Sequence, residues 1–168
     1  RQIMNTPEPR WPSAQVPALA RALGDPRLAN GERAALKRMG LEGPAPLALH
    51  RLILLRVDED WQGEHWTPRW RALVCALAIQ RDGGFDPSRP WGQALAEAHF
   101  AESRLERLLA AQGETQLALS LRAARQLAAK GIACDWRQLA DLIFSSDPEM
   151  VERIKTRIAR DYYRNLQK

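Results

Sequence analysis

The sequence predicts an all-α fold of about nine helices in two small bundles, with no sheet. Three observations carry that expectation. Ala and Leu, the strongest helix formers, supply 26 and 23 of the 168 residues, whereas Val, Ile and Thr together supply 15. Apolar residues recur at helical spacing along successive segments. Gly, Pro and Asn-Gly steps then fall between those segments.

In order along the chain, residues 1–12 hold Pro7, Pro9 and Pro12 without periodicity and read as an extended tail. A first helix begins at Ser13 or Pro17 and is stopped after Leu23 by Gly24-Asp25-Pro26. Asn30-Gly31 opens a second over 32–39, closed by Gly40. Pro44 and Pro46 lead into a third over 47–57, with Pro46 suited to a first helical position. An acidic, aromatic loop follows over 58–66. Thr67-Pro68 starts a fourth helix, with Trp70, Leu73, Val74 and Leu77 at helical spacing.

The stretch 82–90, holding Gly83, Gly84, Pro87 and Pro90, is the strongest break in the chain. It divides an N-terminal bundle (13–82) from a C-terminal bundle (91–168) by a linker at 83–90. Three helices follow, over 91–99, 102–111 and 114–130, the last ended by Gly131. Asp135 caps the eighth over 136–144, and Ser146 or Asp147 caps the ninth, from Pro148 to about Leu166.

A composition 45% hydrophobic and 27% charged is that of an ordinary globular chain, long enough for one sizeable core or two small bundles. The longest apolar runs, 52–55 and 72–79, fall far short of the ~20 residues of a membrane span. With no leader pattern, a cytoplasmic location is expected. Cys75 and Cys134 sit in apolar helical contexts and are expected to be reduced, buried thiols.

Motifs that carry chemistry are scarce. His50, His65 and His99 are 15 and 34 residues apart and form no zinc-helix pair. There is no Cys-x-x-Cys, glycine-rich phosphate loop or Gly-x-Ser-x-Gly. Asp58, Glu59, Asp60 and Glu64 cluster oxygens of the kind hard cations take, but their spacing fits no known loop and a solvated acidic loop accounts for them. Ser145-Ser146 lacks a neighbouring base and reads as a helix end. No enzyme, metal or cofactor is expected.

Charge is the positive feature. Lys and Arg number 25 against 20 Asp and Glu, a net +5, and 21 of the 25 are Arg. Arg is the better bidentate partner for phosphate, although a GC-rich genome enriches it as well. In the last helix Arg153, Arg157, Arg160 and Arg164 fall within roughly 60° of one another. Val151, Ile154, Ile158 and Tyr162 form the opposite, apolar stripe.

Such a row can follow a phosphodiester backbone with salt-sensitive affinity. Taken alone, a solvated face tempered by Glu149, Glu152 and Asp161 is the plainer account. Three further groups point the same way: Arg33, Lys37 and Arg38; Arg104 and Arg107; and Arg122, Arg125 and Gln126. Together they are candidates for a shared nucleic-acid groove. Trp61, Trp66, Trp70, Trp91 and Trp136 read as packing residues, and Trp11 lies in the tail without a place.

The order of these features resembles a known family. The segment from Asn30 through Gly31, Glu32, Arg33, Ala34, Ala35, Leu36 and Lys37 to Arg38 is similar to an early helix of the CasB family. That family is the small subunit of the type I-E CRISPR surveillance complex, Cascade. Trp91-Gly92-Gln93-Ala94-Leu95 is similar to its Leu-Gly-x-Ala-Leu, with Trp91 in place of an aliphatic residue. Glu102-x-Arg104, Leu108-Leu109-Ala110, Leu121-Arg122 and Asp135-Trp136-x-x-Leu139-Ala140 follow in matching order, so the likeness covers roughly residues 15–168.

The resemblance implies nine helices in two bundles and two copies per complex. It implies no catalysis of its own, with cutting left to a separate helicase-nuclease. The implied partners are the large subunit, the backbone subunits, the guide-processing subunit, a second copy of the chain, and the guide RNA–DNA R-loop with its target and displaced strands. The nucleic-acid role carries onto Lys37, Arg38, Arg104 and Arg122. Where the family has basic residues before its last helix, this chain has Asp147-Pro148-Glu149, so a contact along Arg153 and Arg157 rests on the stripe alone. The competing reading is a helical scaffold or adaptor that meets acidic protein partners without binding nucleic acid. A helix-turn-helix regulator lacks a convincing candidate segment.

Overall fold

A computed structural model describes residues 11–166. Among these residues nine α-helices form: α1 (Val16–Gly24), α2 (Asn30–Arg38), α3 (Leu47–Arg56), α4 (Thr67–Ala78), α5 (Trp91–Glu97), α6 (Glu102–Ala110), α7 (Gly113–Lys130), α8 (Arg137–Phe144) and α9 (Pro148–Asn165). Of the expected tail, residues 1–10 lie outside the described residues. Pro12 opens a 3-10 turn, Pro12–Gln15, that runs into α1. Two more such turns, Glu59–Trp61 and Glu64–Trp66, make up much of the acidic loop.

Local chemistry sets the helix ends. At the start of α9 the choice between Ser146 and Asp147 falls to Asp147, whose carboxylate accepts from the Met150 N–H at 3.3 Å, with Pro148 in the first turn. The expected start of α8 moves by one residue: Trp136 is its N-cap, without a side-chain cap bond. Asp135, just before it, accepts from the Arg137 N–H at 3.1 Å and pairs with its guanidinium at 2.8 Å. Gly131, at φ 67°, ends α7 and lets the Ile132 N–H reach the Leu127 carbonyl at 3.0 Å.

The expectation of no sheet is corrected. Strand β1 (Phe85–Pro90) runs parallel to β2 (Cys134–Asp135), with Phe85 opposite Cys134, Pro90 opposite Asp135 and an irregularity between. The prolines that made this stretch read as a linker also hold the residues before them extended. The Cys134 N–H donates to the Gly84 carbonyl at 3.0 Å, and the Trp136 indole donates to the same oxygen at 2.9 Å. The Arg89 guanidinium reaches the Ala133 carbonyl at 2.9 Å.

One contiguous buried cluster draws on both sides of residues 83–90. At its centre lies α4, buried on every side from Trp70 through Ala78. Buried Gln80 donates to the Ala76 and Ala124 carbonyls at 2.9 Å each, joining the end of α4 to α7. Trp70, Trp91 and Trp136 are fully buried. Each such apolar side chain contributes about 1.5–3 kcal/mol by leaving water.

Helix α5 crosses α9 at Gly92, where a Cβ would stand 2.3 Å from the Ile158 carbonyl oxygen. Only glycine permits that approach, and it seats α9 with Tyr162 donating to the Phe100 carbonyl at 2.5 Å. Cys75 and Cys134 are free and buried, and burial pushes both thiols above the ordinary value. Among the described residues no helix is long and apolar enough to cross a membrane.

Candidate nucleic-acid interface

The basic residues singled out in the sequence sort into three places. On α6 and α7, Arg104, Arg107, Arg122 and Arg125 are all exposed. With Phe100 and Leu119 they line one open cavity of about 320 Å³. The i, i+3 spacing within each helix puts each pair on one side of its helix. Packing of the short α6 on the long α7 then brings the two pairs together. Leu105, Leu108, Leu117 and Leu121 fill the seam beneath them. Among the described residues, none of the four arginines makes an ion pair (N–O within 4.0 Å) or a side-chain hydrogen bond.

One nearby acid is already engaged. The Glu102 carboxylate accepts from the Tyr163 hydroxyl at 2.6 Å, and that contact holds the phenol up to about 12. Gln126, read as sharing the basic side of α7, is half-buried and donates to the Ala98 carbonyl at 2.9 Å.

On α9, Arg153, Arg157, Arg160 and Arg164 are exposed, while Ile158 and Tyr162 are buried and Ile154 half-buried on the far side. Arg153 and Arg157 line a cleft of about 390 Å³ with Trp11, Asp141, Met150 and Ile154. Burial pushes the Asp141 carboxyl above its usual range, against the opposing pull of Ser13, Trp11 and Arg157.

On α2 the cluster divides. Lys37 and Arg38 are exposed in the last turn. Arg33 is half-buried and donates to the carbonyls of Leu23 and Asp25, the latter at 2.8 Å. Those oxygens lie at the end of α1, where helical carbonyls lack intrahelical partners.

Sequence reasoning passed over Arg71. It is 7% exposed, and its guanidinium donates to four carbonyls: Met39 at 2.8 Å, Gly40 at 2.7 Å, Glu42 at 2.6 Å and Gly43 at 2.7 Å. The turn it grips passes through Gly40 at φ 52° and Gly43 at φ 75° and follows directly on Lys37 and Arg38. The signal was present: Arg71 stands alone among apolar residues from Trp70 to Ile79. A charge in such a run is buried only when the fold supplies it with acceptors.

The expected packing tryptophans do pack. The Trp61 and Trp66 rings lie 4.7 Å apart, tilted by 56°, beside Phe144, and Arg69 lies 5.1 Å over the Trp66 ring. In the acidic loop, Asp60 N–H donates to the Asp58 carboxylate at 3.2 Å, an Asx turn. Among the described residues no group of three or more His, Cys, Asp or Glu is placed to hold a metal ion.

Comparison with curated proteins and with solved structures returned no match. Comparison with protein families did: the family model for CRISPR-associated protein Cse2 matches residues 32–163. That span takes in α3 to α8 whole, the basic end of α2, the α6–α7 arginines and most of α9. The chain therefore belongs to the CRISPR-associated protein Cse2 family, the CasB small subunit of type I-E Cascade.

Proposed function

We propose that the chain acts within Cascade as a non-catalytic subunit that steadies the R-loop through sequence-independent contacts to the backbones of the target and displaced strands. The observation that carries this reading is the α6–α7 face. Four arginines from two helices converge on one open cavity whose lining holds no carboxylate among the described residues. Unpaired guanidiniums at that density attract polyanions, and a phosphodiester strand supplies an anion at each nucleotide. R-loop opening is a near-balanced exchange of duplexes, so modest backbone contacts tip it.

Lys37 and Arg38 extend the basic surface to α2, and the α9 stripe extends it to the C-terminal end. Arg33 supports α1 and stands outside the contact set. In this reading the helices before and after residues 83–90 serve as two bundles, each meeting different Cascade neighbours, and two copies sit side by side. The test is R-loop lifetime in an assembled complex carrying Arg38→Glu with Arg122→Glu. A shortened lifetime is expected. An unchanged one removes the groove.

A second reading, a scaffold that touches only protein, has its own support. Leu47, Leu54 and Leu55 are 85%, 67% and 68% exposed on one side of α3. An apolar face of that kind marks a protein contact. A pure scaffold gives no mobility shift with any nucleic acid at low salt, whereas the R-loop role requires one that fades with salt.

A further inference from the structure

Trp11 is held in place, its side chain hydrogen-bonded to the Asp141 carboxylate, yet it leaves part of its surface open to solvent. One side of the indole is fixed: it meets Trp61 edge-on at 5.0 Å, and the Trp11 carbonyl accepts from the Ala14 N–H at 2.9 Å. Trp11 remains 40% exposed as a residue, and it lines the same cleft as Arg153 and Arg157. Met150 and Ile154 give the cleft an apolar wall, and Asp141, already accepting from Ser13 and Trp11, fixes the indole at its edge. Neither arginine makes an ion pair within 4.0 Å among the described residues. A held aromatic surface beside two cations one helical turn apart matches a nucleotide in shape and charge, with a flat π-face joined to an anion.

We propose that Trp11, Arg153 and Arg157 form a subsite for one unpaired nucleotide, the base stacked on the exposed indole and its phosphate held by the two guanidiniums. The subsite takes single strands. In a duplex each base is already stacked and paired, and its face cannot reach a protein ring without being flipped out. The inference rests on the nucleic-acid reading above and adds to it a preference for unpaired over paired strands.

The test compares the full chain binding a thymidine oligomer of about 12 nucleotides with an abasic oligomer of the same length and charge. The thymidine oligomer is expected to bind about 5- to 30-fold tighter, with quenching of indole fluorescence. Trp11→Ala should erase that preference and leave the salt slope unchanged, while Trp11→Phe should keep most of it. Arg153→Gln with Arg157→Gln should flatten the slope of log affinity against log salt by about 1.4.

Equal, salt-sensitive binding of the two oligomers by the unaltered chain overturns the stacking subsite and leaves backbone binding standing. A preference that survives Trp11→Ala does the same. No binding of either oligomer at low salt overturns both readings together.

Discussion

Two regions of the molecule use the same side chain for opposite ends. Beside α2, Arg71 is enclosed and gives its guanidinium donors to four carbonyls of the 39–43 turn. On the α6–α7 face, Arg104, Arg107, Arg122 and Arg125 are exposed, with no side-chain hydrogen bond or ion pair among the described residues. Residue type and formal charge do not separate the two. The separation comes from whether the fold presents carbonyl dipoles within reach. Where it does, the arginine is consumed by the structure. Where it does not, the charge stays exposed to solvent, which is what the proposed strand contacts require.

The sharpest way to break this distinction is Arg71→Met. It keeps the apolar stem but leaves four carbonyls without their donor, so unfolding in urea should show a loss of about 4 kcal/mol. A loss below about 1 kcal/mol would mean that water replaces the guanidinium and that the turn is not gripped.

Arg33→Met is the intermediate case, with two carbonyls at the end of α1 released. About 1.5 kcal/mol of stability should go, with nucleic-acid affinity unchanged at equal folded fraction. An altered salt slope with stability intact would move Arg33 into the contact set.

Arg122→Gln should do the reverse. Its stability should stay within about 0.5 kcal/mol of the parent, and the single-strand salt slope should fall by about 0.7. A loss of stability without a change in slope would count the α6–α7 arginines as structural.

The smallest effect is confined to alkaline pH. The Glu102 carboxylate holds Tyr163 up to about 12, so the protonated phenol is the form that folding favours. That contribution is fully present below the ordinary value of 10 and disappears as pH rises from there to about 12. Tyr163→Phe should remove this step from a plot of melting temperature against pH. A step that persists belongs to another group.

Much of the fold was legible because its signals are local. Gly131 ends α7, Pro148 opens α9, and Trp70, Leu73, Val74 and Leu77 mark the buried line of α4. Periodicity and punctuation act over a few residues, and a single chain records them directly. The strand at 85–90 escaped because its partner, Cys134-Asp135, lies more than 40 residues on and contributes two residues. The prolines within β1 point to extended chain but carry no record of what that chain meets.

The candidate interface was legible one helix at a time. Spacing put Arg104 with Arg107, Arg122 with Arg125, and the α9 arginines in a row. By itself the sequence determined which segments are helical and about where they stop, and the apolar side of amphipathic helices such as α9, since neighbours along the chain decide those. Only the tertiary structure decided that two arginine pairs share one cavity, that Arg33 and Arg71 are spent on backbone carbonyls, and that Trp11 stands beside Arg153 and Arg157. Those outcomes depend on which carbonyls and rings the packing brings within about 3–5 Å, a through-space matter to which sequence separation gives no guide.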